Sequence, residues 1–97
     1  MATYVGLANW TDQGIRNFRE SPKRADAFEQ VVNKHGGSLK DIYWTIGPYD
    51  IVVIVDAPSE QALTAALLEV GASGNVRTTT LRAFGRDEFG TIVDSTG

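Results

Sequence analysis

Tyr49 and Asp50 stand side by side in the run Gly47-Pro48-Tyr49-Asp50, and a phenol beside a carboxylate can hold or pass a proton at the mouth of a pocket. The same pair has a conformational reading, which is preferred here: Asp50 caps its own turn through an Asx-type bond and Tyr49 packs over the hairpin end. His35 is the single histidine, and so the one side chain that ordinarily titrates near neutrality. It can serve as a general base or an axial haem ligand. Its place just before Gly36-Gly37, at the end of an amphipathic stretch, favours a simpler role as a partner of the helix C-terminal dipole. Arg82, aligned with Thr78 and Thr80, would grip a carboxylate or enolate oxygen in a partly apolar cavity, or else close a salt bridge between subunits. Tyr4, Trp10 and Tyr43 would stack on a planar ligand or fill a dimer core. The expected ligand-binding set is therefore Tyr4, Trp10, Tyr43, Thr80 and Arg82; the catalytic candidates are His35, Tyr49 and Asp50. No cofactor is implied. Gly36-Gly37 reads as a helix stop and not a phosphate loop, and no spacing of histidine, cysteine and carboxylate suggests a metal site.

The elements that must position these groups centre on Asp41 to Ala57. The first arm alternates, with Ile42, Trp44 and Ile46 on one face, as a half-buried strand does. The second, Ile51 to Val55, is β-branched without a break, which implies cover on both faces. Pro48 excludes a two-residue primed turn, so a four-residue loop over Gly47 to Asp50 is expected, with Ile46 opposite Ile51, Trp44 opposite Val53 and Ile42 opposite Val55. Before the hairpin come a strand from Thr3 to Asn9, a polar connection from Thr11 to Glu20 in which Thr11 can cap one helical turn, and a helix from Ser21-Pro22 to about His35 stopped by Gly36-Gly37. After it come a helix opened by Pro58-Ser59-Glu60 and a threonine-rich strand from Asn75 to Phe84. Phe89, Ile92 and Val93 lie at helical spacing in the tail, as in a short helix packed on a neighbouring surface.

The order β-α-β-β-α-β predicts an α+β, ferredoxin-like domain: a four-stranded antiparallel sheet with both helices on one face. The bare face is expected to carry Tyr4, Ala8, Trp10, Tyr43, Thr45, Val52, Ile54, Thr78, Thr80 and Arg82. Its centre is too apolar for water, so the expected partner is a second copy, in a homodimer or a higher assembly.

With 97 residues the chain fits one domain, 1–97. Nine basic and 12 acidic residues, net charge −3, are spread without a basic stripe, which argues against nucleic acid as a partner. Cysteine is absent, which removes thiol chemistry and makes the cytoplasm the expected compartment. Neither a signal peptide nor a run approaching the roughly 20 apolar residues of a membrane span is present, so no membrane role is expected.

The Gly47-Pro48-Tyr49-Asp50 tetrad, with T-D-Q-G-I (Thr11 to Ile15), S-P-K-R-A (Ser21 to Ala25), Y-W-T-I-G (Tyr43 to Gly47), D-A-P (Asp56 to Pro58) and N-V-R-T (Asn75 to Thr78), resembles the small bacterial GYD domain family over nearly the whole chain. That resemblance implies a fold of the dimeric α+β barrel kind, whose other members include cofactor-free monooxygenases, isomerases, haem enzymes and effector-binding domains; it carries no agreed activity. Three functions follow as expectations. The first is a homo-oligomer that encloses a small, partly apolar metabolite without chemistry. The second is a cofactor-independent enzyme, monooxygenase- or isomerase-like, acting on an enolisable or phenolic substrate through Tyr43, Tyr49, Asp50 or His35. The third is a purely structural oligomer.

Overall fold

A computed structural model describes all of residues 1–97. The elements run β1 (Ala2–Trp10), α1 (Asp12–Arg16), a 3₁₀ turn (Phe18–Glu20), α2 (Ser21–Lys34), β2 (Ser38–Trp44), β3 (Ile51–Ala57), α3 (Glu60–Ala72), β4 (Val76–Ala83) and α4 (Arg86–Asp94). The four strands form one antiparallel sheet in the order β2-β3-β1-β4, with α2 and α3 packed against one face, an arrangement close to the ferredoxin-like topology. No helix is long and apolar enough to cross a membrane.

The barrel is not there. The sheet is open, with β2 and β4 as unpaired outer strands. Three inter-strand steps of about 4.8 Å separate those edges by about 14 Å, and curling a sheet until its edges meet takes on the order of eight strands.

The core lies under the helices, where Tyr4, Val32, Val55, Ala57 and Leu63 pack together with Phe28, Leu39, Val53 and Leu67 around them. Two features of the register differ from expectation. In the hairpin, Trp44 pairs with Ile51 and Ile42 with Val53, two residues away from the predicted pairing, and Ile46 is thrown into solvent. The cause is Asp50, whose backbone N–H donates to the Ala8 carbonyl of β1 (2.9 Å) while its own carbonyl accepts from Thr45 N–H (2.8 Å), so the turn is longer than four residues. A slip of two preserves the side-chain alternation, and Tyr43, Val52 and Ile54 stay on the helix-free face.

The outer strand β4 and the central strand β1 are reversed. Tyr4, Ala8 and Trp10, expected on the bare face, share the helix-facing side with Thr78, Thr80 and Arg82, their β4 partners or neighbours in register. Val5, Leu7 and Leu81 take the bare face instead, beside Ile54 and Val52. The helices lie over the small residues Gly6 and Ala8, which leave room for them, while Val5 and Leu7 project the other way.

Helix α2 ends as its sequence predicts. Gly36 has φ +85°, its N–H bonds the Asn33 carbonyl (3.0 Å) and the Gly37 N–H bonds the Val32 carbonyl (3.0 Å), which is a Schellman stop. Gly36→Ala should therefore cost about 1 kcal/mol in urea denaturation, because alanine is strained in the left-handed region; no loss would mean that the helix end carries no such constraint.

Candidate functional site

Two surfaces stand out, one on each side of the sheet. On the helix side, a cleft of about 220 Å³ opens between the sheet and helices α2 and α3. Its floor is Gly6 and Ala8 of β1 with Ile51 and Val53 of β3, and its walls include Phe28 and Val31 of α2, Leu67 and Val70 of α3, and Ile42 and Trp44 of β2. The floor carries little bulk of its own: Ala8 contributes only a methyl, and Gly6 lets the Val53 side chain lean in to 2.7 Å from where a Cβ would stand. Ser21, the first residue of α2, is 5% exposed in the cleft wall, and its Oγ accepts the Trp44 Nε1–H at 2.9 Å. Arg24, also in the wall, donates to the carbonyls of Asn17 (2.9 Å) and Gly14 (3.2 Å), tying α2 to the α1 segment.

Glu69 lines the cleft from α3 and is clasped by the end of α2, with its Oε1 2.8 Å from Lys34 Nζ and its Oε2 2.5 Å from His35 Nε2. His35 thus pairs with a carboxylate as well as capping its helix. The Lys34 hydrogen bond first, and the His35 bond second, hold the Glu69 carboxyl below its ordinary value of 4.5. A depressed folded-state pKa adds stability above the unfolded value and gives it up as pH falls through the folded one. Glu69→Gln should therefore flatten the acid limb of a stability–pH curve below about pH 4.5; an unchanged acid limb would show that the clasp is not populated in solution.

On the other side, the helix-free face carries a strip of Val5, Leu7, Val52, Ile54 and Leu81, edged by Tyr43, whose residue surface is 57% exposed. Asp56 closes one end of the face, accepting from Thr3 Oγ1 at 2.7 Å and lying 3.8 Å from Lys40 Nζ. Helix α4 leaves the edge strand β4 after two residues and keeps Phe89, Ile92 and Val93 exposed.

The expected ligand set is not gathered in one place. Tyr4 is in the core. Arg82 lies beside it, 5.7 Å from the Tyr4 ring centroid and 4.4 Å from that of Phe84, and its guanidinium pairs with Glu88 of α4 at 2.8 Å and also donates to the Ala83 carbonyl. Thr80 faces the helices opposite Gly6, Trp10 is at the far end of β1 with its indole Nε1 buried and unbonded, and only Tyr43 is on the bare face. None of the five lines the cleft. Tyr49 is half-buried at the hairpin end, where its carbonyl accepts from Thr45 Oγ1 at 2.6 Å. Asp50 does not cap its own turn; its Oδ2 accepts the backbone N–H of Trp10 at 2.9 Å, pinning the end of β1 to the hairpin. The residues that sequence reasoning passed over are Ser21, Trp44, Gly6 and Ala8. The signal available for Gly6 and Ala8 was their small size at alternate positions of β1; the meeting of Ser21 with Trp44 had none, the two being on different elements.

These features define a small two-layer α+β protein whose half-covered sheet presents one apolar face and one interlayer cleft. The chain belongs to the GYD domain family, whose model matches residues 4–93. A protein of Thermus thermophilus named glutamine synthetase and cystathionine beta-lyase binding protein is 31% identical over 84 residues, 86% of this chain and 88% of that one. Among solved structures, TTHA0845 from the same organism superposes with a TM-score of 0.54 at 24% identity, covering 88% of this chain and 95% of that chain. MtbAldR superposes with a TM-score of 0.61 at 16% identity, over 88% of this chain and 52% of its own. A homoserine dehydrogenase from Thiobacillus denitrificans gives 0.59 at 16% identity, over 84% of this chain and 17% of its own. At these identities the structural likenesses speak to the fold, which recurs inside longer proteins.

Proposed function

We propose that the chain is a binding module that associates with a second copy of itself through the helix-free sheet face. The observation that carries this is the apolar strip Val5, Leu7, Val52, Ile54 and Leu81, set on the side of the sheet that no helix of the chain covers. Four strands about 4.8 Å apart and seven residues long at about 3.4 Å each give a face of roughly 450 Å² in projection. A stable interface takes about 800 Å² of accessible surface per partner. The face falls short alone, and the exposed Phe89, Ile92 and Val93 of α4, which follows the edge strand β4, are the further apolar surface that this reading draws on. A second copy offers both surfaces reciprocally, as two-fold association requires. The Thermus thermophilus relative, whose name describes binding to two enzymes, supports protein binding as the class of activity. The engagement of Asp50 with Trp10 N–H and of His35 with Glu69 supports binding over catalysis, since both groups already have partners in the fold.

Light scattering at micromolar concentration tests the reading. Wild type should be a dimer, and Val52→Asp or Ile54→Lys should be monomers with an unchanged circular dichroism spectrum. A monomeric wild type would remove self-association and leave the face to a different protein.

The interlayer cleft favours a second reading, in which the same module holds a small molecule between its helices and its sheet; its volume and apolar lining support that.

A further inference from the structure

We infer that the cleft takes a neutral molecule of about one ring, carrying a hydrogen-bond acceptor that Ser21 Oγ–H engages. This rests on the small-molecule reading of the cleft and names the ligand's chemical class. The size follows from the volume: about 150 Å³ of apolar cavity holds benzene, and this cleft has about 220 Å³, room for a ring and a short substituent.

The polarity follows from one group. Ser21 is 5% exposed, and its Oγ receives the Trp44 indole N–H, yet its own hydroxyl proton finds no acceptor anywhere in the chain. A buried hydroxyl that accepts a bond but donates none is left with an unused donor, and a ligand oxygen placed there would use it. Charge is selected against from both signs. A carboxylate would be stripped of water against a lining made mostly of apolar side chains, and the polar groups there are already engaged, Arg24 by the Asn17 and Gly14 carbonyls and Ser21 by Trp44. A cation would meet an almost wholly apolar surface before reaching Glu69, itself occupied by Lys34 and His35. An uncharged carbonyl on a ring fits all three constraints.

The test uses the full chain and three probes of similar size: acetophenone, ethylbenzene, which lacks the acceptor, and benzoate, which adds a charge. The readout is the Trp44 indole N–H resonance, which reports the cleft directly through its bond to Ser21. Acetophenone should shift it saturably and bind more tightly than either control. Ser21→Ala should weaken acetophenone about tenfold, as loss of one hydrogen bond to a buried donor implies, and leave ethylbenzene unchanged. Ala8→Leu should abolish binding of both by filling the floor; Val70→Phe does the same from the wall should the first variant not fold. No saturable shift with any probe overturns the small-molecule reading itself. Binding that survives both filling variants places the probe elsewhere and does the same. Equal loss of acetophenone and ethylbenzene on Ser21→Ala, or preference for benzoate, overturns only the assigned ligand class.

Discussion

Gly14→Ala is expected to destabilise the protein by about 3 kcal/mol or more, the upper end of what overpacking a rigid site costs. A Cβ at Gly14 would overlap the carbonyl oxygen of Asn75 and lie 2.9 Å from its carbonyl carbon, and both are backbone atoms that cannot rotate away. The surrounding bonds explain why the approach is so close. Thr11 caps α1 by accepting from Gly14 N–H (3.1 Å) and donates from its hydroxyl to the Gly74 carbonyl (2.5 Å), while its own N–H bonds the Asn75 carbonyl (3.1 Å). Gln13 adds bonds to the Ser73 carbonyl (3.2 Å) and to Asn75 Oδ1 (3.0 Å). The T-D-Q-G segment is thus a latch on the turn between α3 and β4, and the added methyl would pry the whole latch open. Urea denaturation of the variant is the measurement. A loss below about 1 kcal/mol would show that α1 is not docked on this turn in solution.

Asp50→Ala should cost about 2 kcal/mol, the range for a hydrogen bond to a charged acceptor. Removing the carboxylate leaves the Trp10 N–H, at the end of the sheet and partly buried, with no acceptor in place of Oδ2. Asp50→Asn keeps an oxygen at that position and should lose about half as much, because the acceptor survives while its charge does not. Equal losses for both substitutions would assign the effect to charge alone, and no loss for either would dismiss the bond as a stabilising contact. The carboxylate of the family signature is thereby given a job in holding the hairpin to β1.

Sequence periodicity was sufficient for the elements and insufficient for half of the sheet. Ser21-Pro22 and Gly36-Gly37 mark the ends of α2 because proline's fixed φ in the first turn and left-handed glycine act locally, although Ser21 is itself helical and its hydroxyl bonds Trp44 instead of capping the helix. Tyr43, Val52 and Ile54 are on the expected face because a hairpin turn ties β2 to β3 and transmits alternation from one to the other, even when the register slips by two. No turn connects β1 to β3. Which side of β1 meets the helices depends on what fits beneath α2 and α3, and both sides look eligible: Val5 and Leu7 are apolar, while Gly6 and Ala8 are merely small. Size decided it, and β4 followed β1 through their pairing. The cleft was invisible for the same reason, being a property of missing volume between elements distant in sequence.

The sheet order has a consequence for how the molecule assembles. β1 is the earliest strand to be made, yet it lies between β3 and β4, pairing Ala2 with Ala57 and Thr3 with Ala83. Contacts so distant along the chain demand costly loop closure before they return anything, and they slow folding. At about 5–20 residues per second, the ribosome takes seconds to reach β3 after β1 has emerged. Through that interval Val5 and Leu7 are held on an unpaired strand, and only the synthesis of β4 gives β1 its second neighbour.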